Sequence, residues 1–253
     1  MIRWACILAL FAAPVAAQDI WVLGEVHDNP AHHAVQASRV AEIAPKALIF
    51  EMLTPQDAAK VTPDLRDDAD ALAAALNWEG NGWPSFSQYF PIIAAAPEAV
   101  IFGAGVPREM ARKVGQVGLA AAFGENAVAF GLTSPLPSEQ QRARAQLQAD
   151  AHCGALPPVM LPLMVDIQRF RDASLARAAL AALAQTGGPV AVITGNGHAR
   201  TDWGMPALIA QAGPAAKIYT VGQGEDGIAP DGTFDEVVYA PAPKRDDPCE
   251  VFR

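Results

Sequence analysis

Gly188-Pro-Val-Ala-Val-Ile-Thr-Gly-Asn-Gly-His198-Ala-Arg200 is an apolar, β-branched run that stops in glycines and then delivers an imidazole and a guanidinium. The arrangement occurs twice more upstream. Ile20-Trp-Val-Leu-Gly24 leads into Glu25, His27 and Asp28, and Ala47-Leu-Ile-Phe50 leads into Glu51. Short continuous apolar runs of this kind read as strands buried on both faces, the pattern of a parallel sheet. In open α/β sheets, ligands bind beyond the carboxyl ends of the strands. Three strands therefore direct imidazoles and carboxylates toward one sheet edge, where function is expected.

Outward from these runs, strand and helix signals alternate, which predicts an α/β fold with a mainly parallel sheet flanked by helices. Asn29-Pro30 reads as cap and first residue of a helix through about Ala44, and the strand Ala47–Met52 follows. Thr54-Pro55 and Thr62-Pro63 each open a helix, the second through about Leu76, and Ser85 caps another through Ala96. Further strands are expected at Ala99–Gly103, Ala127–Gly131, Val190–Thr194 and Lys217–Val221, with a weak edge strand at Glu236–Tyr239. Helices are expected from Pro107 and over Pro206–Ala212. Gly187-Gly188 is a plausible stop for the helical text of 137–186, which divides near Gly154–Pro158. The stretches 54–96 and 137–186 lack strands, and are expected to form a helical cap over the strand carboxyl ends.

Arg3, the apolar stretch Trp4–Val15 and the small residues Val15-Ala16-Ala17 read as a secretory signal peptide. Residues 18–253 are then one large α/β domain, exported and with no later transmembrane run. The formal net charge is −9, which argues against nucleic acid and anionic membrane surfaces as partners. Cys153 and Cys249 remain after the leader, and an even count in an exported chain predicts a disulfide rather than two buried free thiols.

Each chemical cluster has a plain structural reading beside the functional one. Glu25 and His27 follow a strand and turn the same way, as a base or ligand with an orienting carboxylate would; the bland alternative is a helix cap. Glu51 and His198 add weight, because charged groups rarely gather at buried strand ends for packing alone. His32 and His33 read as helix-surface or pocket-rim residues. A divalent metal held by histidines and carboxylates has no diagnostic ligand spacing, so its ligands stay unassigned. Gly195-Asn-Gly197 lacks the third glycine of a dinucleotide fingerprint. Arg200 fits a carboxylate or propionate partner, or a surface salt bridge. Gln168 and Asp172 share a helix face toward the pocket, while Arg169 reads as solvated. Among Trp78, Trp83, Phe86, Tyr89 and Phe90, core packing explains most; Tyr89 is the exception, because a phenolate can ligate haem iron.

Taken in order, Leu23-Gly-Glu-Val-His-Asp28 with His32-His33, Phe50-Glu51-Met52, the Trp78…Trp83…Tyr89-Phe-Pro91 stretch, Val106-Pro-Arg108, His152-Cys153, Gln168…Arg171-Asp172 and Gly195-Asn-Gly-His-Ala-Arg200 resemble the ChaN-like haem-binding proteins. That family shares a superfamily with erythromycin-esterase-like hydrolases and Tiki-type metalloproteases. The resemblance implies a periplasmic or surface location, haem as cofactor, Tyr89 as iron ligand and a homodimer that shields the porphyrin; haem propionates need basic partners, and Arg108 or Arg200 is expected to supply that charge. It also makes Glu25, His27, Glu51 and His198 the equivalent of the superfamily's polar active-site group. The chain lacks the lipid-attachment cysteine of the lipoprotein members. Two functions follow: a haem-binding protein of haem or iron uptake, or a hydrolase, esterase- or metalloprotease-like, in which His27, Glu51 and His198 activate water.

Overall fold

A computed structural model describes residues 18–212, 215–247 and 249–250; the signal-peptide reading concerns residues 1–17, outside that set. Six strands form one sheet: β1 (Ile20–Leu23), β2 (Ala47–Phe50), β3 (Val100–Gly103), β4 (Val190–Ile193), β5 (Ile218–Glu225) and β6 (Glu236–Ala240). Their order is β3-β2-β4-β1-β5-β6, and every pairing is parallel. The helices are α1 (Pro30–Ile43), α2 (Pro55–Ala58), α3 (Ala69–Ala75), α4 (Phe86–Ala94), α5 (Arg108–Val117), α6 (Leu119–Phe123), α7 (Ser138–Ala151), α8 (Leu161–Thr186), α9 (Asn196–Ala199) and α10 (Met205–Gln211). The expected α/β architecture is present.

Side-chain alternation along each short strand feeds two cores. Ile20, Val22, Ala47, Ile49, Val190 and Val192 face one side, against α8, α6 and α10. Leu23, Leu48, Phe50, Ala191 and Ile193 face the other, against α1 and the 54–96 helices. On α8 the contact row is Ala173, Ala176, Ala179 and Ala182, all fully buried. Their small side chains let a 26-residue helix lie close on the sheet. The two helical stretches thus lie against opposite sheet faces, and both reach the carboxyl rim, where Trp83 from the first and Arg171 from the second line one cavity.

Local signals explain most element ends. The Asn29 side chain accepts from the Ala31 amide with Pro30 at the first helical position, and Gly187 closes α8 at φ +73°. The stretch expected as one helix to Leu76 is a 3₁₀ turn, Pro63–Leu65, followed by α3, because Asp68 starts a new helix by accepting from the Ala71 amide.

The strand expected at Ala127–Gly131 is not formed. Three of its amides bond locally, Ala127 to Gly124 O, Phe130 to Asn126 O and Gly131 to Val128 O, in place of a sheet neighbour. Gly124 and Gly131, at φ +86° and +65°, bracket a turn whose Ala127, Phe130 and Leu132 are buried while Val128 is 76% exposed. Conversely, β5 runs four residues past Val221. A side chain at Gly222 would begin 2.7 Å from the Phe234 ring, so glycine there marks close packing within a strand, not its end. Cys153 and Cys249 are bridged, with Cα atoms 5.6 Å apart, as expected, and the bond ties the C-terminal segment to the end of α7.

Candidate functional site

Three neighbouring strands, β2, β4 and β1, end level with one another: Phe50 and Leu23 both pair with Ile193. The next residues keep the strands joined, since the Glu51 amide donates to Ile193 O and the Asn196 amide to Glu25 O. The side chains just past the strands therefore converge. Gly195 sits at the centre of the group. A Cβ there would lie 3.0 Å from His27 Nε2 and 3.8 Å from Glu51 Oε2. Its backbone, φ −63° and ψ 150°, suits any residue, so space is what demands glycine.

Glu25 is buried and is the hub of the first half of the site. Its Oε1 accepts from the Tyr89 hydroxyl at 2.9 Å and lies 2.7 Å from His27 Nδ1; Oε2 is 3.4 Å from His33 Nε2. Burial alone would raise the carboxyl pKa, but the hydrogen bonds and charges of His27 and His33 outweigh it and hold it at about 2. Burial likewise works against a charged His27, yet Glu25, with the charges of Glu51 and Asp28, lifts its pKa to about 9. His27 keeps an accessible edge, with 35% of its side chain exposed and Trp83 against it at 5.0 Å between ring centroids. Tyr89 is fully buried, packed edge-on to His33 at 4.4 Å. Burial, then the Glu25 charge, pushes its phenol well above the usual tyrosine range.

The second half is a chain of ion pairs. Glu51 Oε2 accepts from Thr194 Oγ1 at 2.6 Å and from the Gly195 amide at 2.9 Å. Its Oε1 lies 3.6 Å from His198 Nε2, and His198 Nδ1 is 2.6 Å from Asp172 Oδ1. Burial raises the Glu51 carboxyl, but the His198 and His27 charges and the two donated bonds bring it below the usual range. Burial lowers the His198 imidazole, while Glu51 and Asp172 more than reverse this and raise it.

Glu51 and Trp83 open onto a cavity of about 530 Å³ whose wall also carries Arg108 and Arg171. Arg108, at the start of α5, is exposed there. Arg200 is elsewhere: it is buried, makes a two-pronged pair with Asp202 at 2.6 Å and 2.6 Å, and stacks on Trp203 at 3.6 Å. It lines a separate cavity with His198. Glu25, His27, Glu51 and His198 are thus brought together, Arg108 shares a cavity with Glu51 alone among them, and Tyr89 reaches them through Glu25.

Two placements correct the sequence reading. His32 and His33 are buried, not on the rim. His32 Nδ1 accepts from the Val26 amide at 2.9 Å and Nε2 faces Gly224 O at 3.3 Å, so its ring braces the loop that carries His27. Arg169 is also buried, donating at 3.0 Å to both Gly131 O and Ser134 O. Three partners escaped assignment. In the sequence Asp172 reads, with Gln168, as facing the pocket and, with Arg171, as part of the family resemblance, but neither has a role there. Thr194 looked like the last residue of a strand. Among the described residues, no group of three or more His, Cys, Asp and Glu side chains is arranged to hold a metal ion.

Residues 11–209 match the family described as haem-binding uptake, Tiki superfamily, ChaN. Among solved structures, the chain is similar to one titled "Cofacial heme binding to ChaN of Campylobacter jejuni". The TM-score is 0.60 at 20% identity, over 84% of each chain. It is more distantly similar to the type III effector HopBA1, with a TM-score of 0.46 at 13% identity over 88% of each chain. No curated protein matches. The family match covers most of the sequence, and the chain belongs to the ChaN haem-binding uptake family of the Tiki superfamily.

Proposed function

We propose that this chain is an exported, periplasmic haem-binding protein that acts in haem or iron uptake. The observation that carries the reading is His27. Its Nδ1 is fixed on a buried carboxylate, 35% of its side chain is exposed, and its Nε2 is left uncrowded because Gly195 carries no Cβ. Metal-ligating histidines commonly donate their second ring nitrogen to a carboxylate, which sets tautomer and orientation. The residues that would hold haem are His27 for the iron, with Trp83 against it at 5.0 Å between ring centroids as an aromatic wall, and Arg108 and Arg171, which line the cavity on which Trp83 also opens, for the propionates. Haem bound there supplies a redox-active iron on a broad apolar face. Tyr89, expected as the iron ligand, has its hydroxyl on Glu25 with no exposed surface, so we assign it to positioning Glu25.

Haemin titration of the purified protein, followed by absorbance, tests this. The wild type binds with an imidazole-type spectrum, and His27→Ala weakens binding by about tenfold or more. A tyrosinate-type spectrum lost in Tyr89→Phe would return the iron to Tyr89. A wild type that binds no haemin would end the haem reading.

A second reading, hydrolysis by an activated water, has its own observation: His198 is held between the carboxylates of Asp172 and Glu51, beside His27. It stands behind the first because the matched family is a haem-binding one. Its test is an ester- and peptide-cleavage screen of wild type against His198→Gln, in which equal rates would dismiss it.

A further inference from the structure

His198 and Asp172 have a second side, which faces away from the Glu51 cavity. There a cavity of about 320 Å³ lies between α7, α8 and the turn that carries α9. That volume is near the lower end for small-molecule sites. Its defining group is Arg144 of α7, whose side chain is only 10% exposed. A guanidinium carries five N–H donors. Those of Arg144 are poorly used: NH2 reaches Trp203 O at 3.3 Å, NH1 is 3.8 Å from Asp172 Oδ2, and Nε is buried with no hydrogen-bond partner among the described residues, while the guanidinium carbon lies over the Trp203 ring at 5.2 Å, a contact that uses none of the N–H donors. Asp172 cannot fully answer the charge, because its other oxygen is held by His198 at 2.6 Å. Burial pushes the Arg144 pKa down to about 10, as expected of a cation short of partners.

The rest of the wall narrows the ligand class. Arg200 is satisfied by Asp202 and offers no spare charge. Leu147, Ala151 and Val165 supply apolar surface, and Gln168 an amide whose Oε1 has no partner among the described residues. Asp231 also lines the space but is exposed, where solvent screens it. We propose that this cavity binds a small organic carboxylate with an apolar body, its carboxylate on Arg144 and its body against Leu147 and Val165. Planar, two-pronged capture of a carboxylate is what a buried, under-bonded guanidinium does well. This inference does not rest on the haem reading, since the Glu51 cavity lies across the His198–Asp172 pair.

Calorimetric titration of the intact protein with 3-phenylpropionate tests it, with the neutral 3-phenylpropionamide and the cation phenethylamine as controls. The acid binds and both controls bind at least about tenfold more weakly, the usual worth of a charge-assisted pair. Arg144→Gln loses the acid by a similar factor while its melting transition stays cooperative, and Arg144→Lys retains part of it. If Arg144→Gln fails to fold, Leu147→Phe decides: it keeps the cation and constricts the space, so binding is lost. Equal binding of acid and amide, preference for the amine, no binding of any probe, or undiminished binding in Leu147→Phe overturns the proposal. Haemin added to the acid-saturated protein leaves the acid bound; displacement would mean the site is part of the haem pocket and would equally overturn it.

Discussion

Replacing Glu25 with glutamine tests whether charge or shape organises the site. Glutamine has nearly the same outline, but one carboxylate oxygen becomes an NH2 group. The carboxylate is met by the Tyr89 hydroxyl, by His27 Nδ1 and, at 3.4 Å, by His33 Nε2. An amide oxygen can still accept, but its NH2 then points at other donors. The size of the effect follows from the pKa. Holding a carboxyl at about 2 instead of 4.5 is worth on the order of 3 kcal/mol at neutral pH, and that contribution is lost in Glu25→Gln. A third of the His27 side chain meets water, which screens its side of the pair.

The pH dependence separates the charge effect from packing. The folded pKa of Glu25 is depressed, so its contribution is present above about 4.5 and lost as pH falls through about 2. The folded pKa of His27 is raised, so its contribution is full below about 6.5 and lost as pH rises through about 9. Urea denaturation across pH should therefore show the wild type most favoured over Glu25→Gln between about pH 5 and 6.5, with the gap narrowing on both sides. In parallel, NMR titration should move the His27 midpoint down from about 9, though not below its ordinary range, since Glu51 and Asp28 still act on it. A stability gap that is flat with pH, or a His27 midpoint that stays near 9, would refute the argument that Glu25 sets the charge of this half of the site.

On the proposed ligation by His27, iron binding displaces the imidazole proton, so haemin affinity should rise with pH up to about 9, read by absorbance titration, and a flat profile would point to another ligand. Gly195→Ala should leave the fold intact, because the backbone there is ordinary and the single Cβ is closely met only by the His27 ring, at 3.0 Å, yet weaken haemin by about tenfold or more by crowding His27 Nε2, with circular dichroism as the control. Reducing the Cys153–Cys249 bridge, which spans a sequence separation of 96 residues, should lower stability by about 4 kcal/mol or less, loosening the C-terminal segment before the sheet; hydrogen exchange reads that order. Thiol counting on denatured, unreduced protein should find neither of these two cysteines reactive.

What the sequence revealed and what it hid divide along a physical line. A strand that is buried on both faces must be apolar throughout, so Ile20–Leu23, Ala47–Phe50 and Val190–Ile193 stood out, and the polar residues just after them could be placed at one sheet edge by the parallel rule alone. That edge became a site because β4 inserts between β1 and β2, a choice of strand order that no local signal carries. Ala127–Gly131 has the composition of such a strand, and only its flanking glycines and local bonds make it a turn. The same limit governs the side chains. Glu25 and His27 are two residues apart, and their pairing followed from alternation. Asp172 and His198 are 26 residues apart, and their contact exists only because α8 returns across the sheet to start β4. Tyr89 illustrates the last step. An aromatic amid aromatics gives no sign of which hydroxyl meets a carboxylate, and only the packing of α4 against α1, with Tyr89 edge-on to His33, puts that oxygen on Glu25. A residue type that could hold iron was legible in the chain; whether its oxygen was already engaged was decided by tertiary contacts sixty-four positions away.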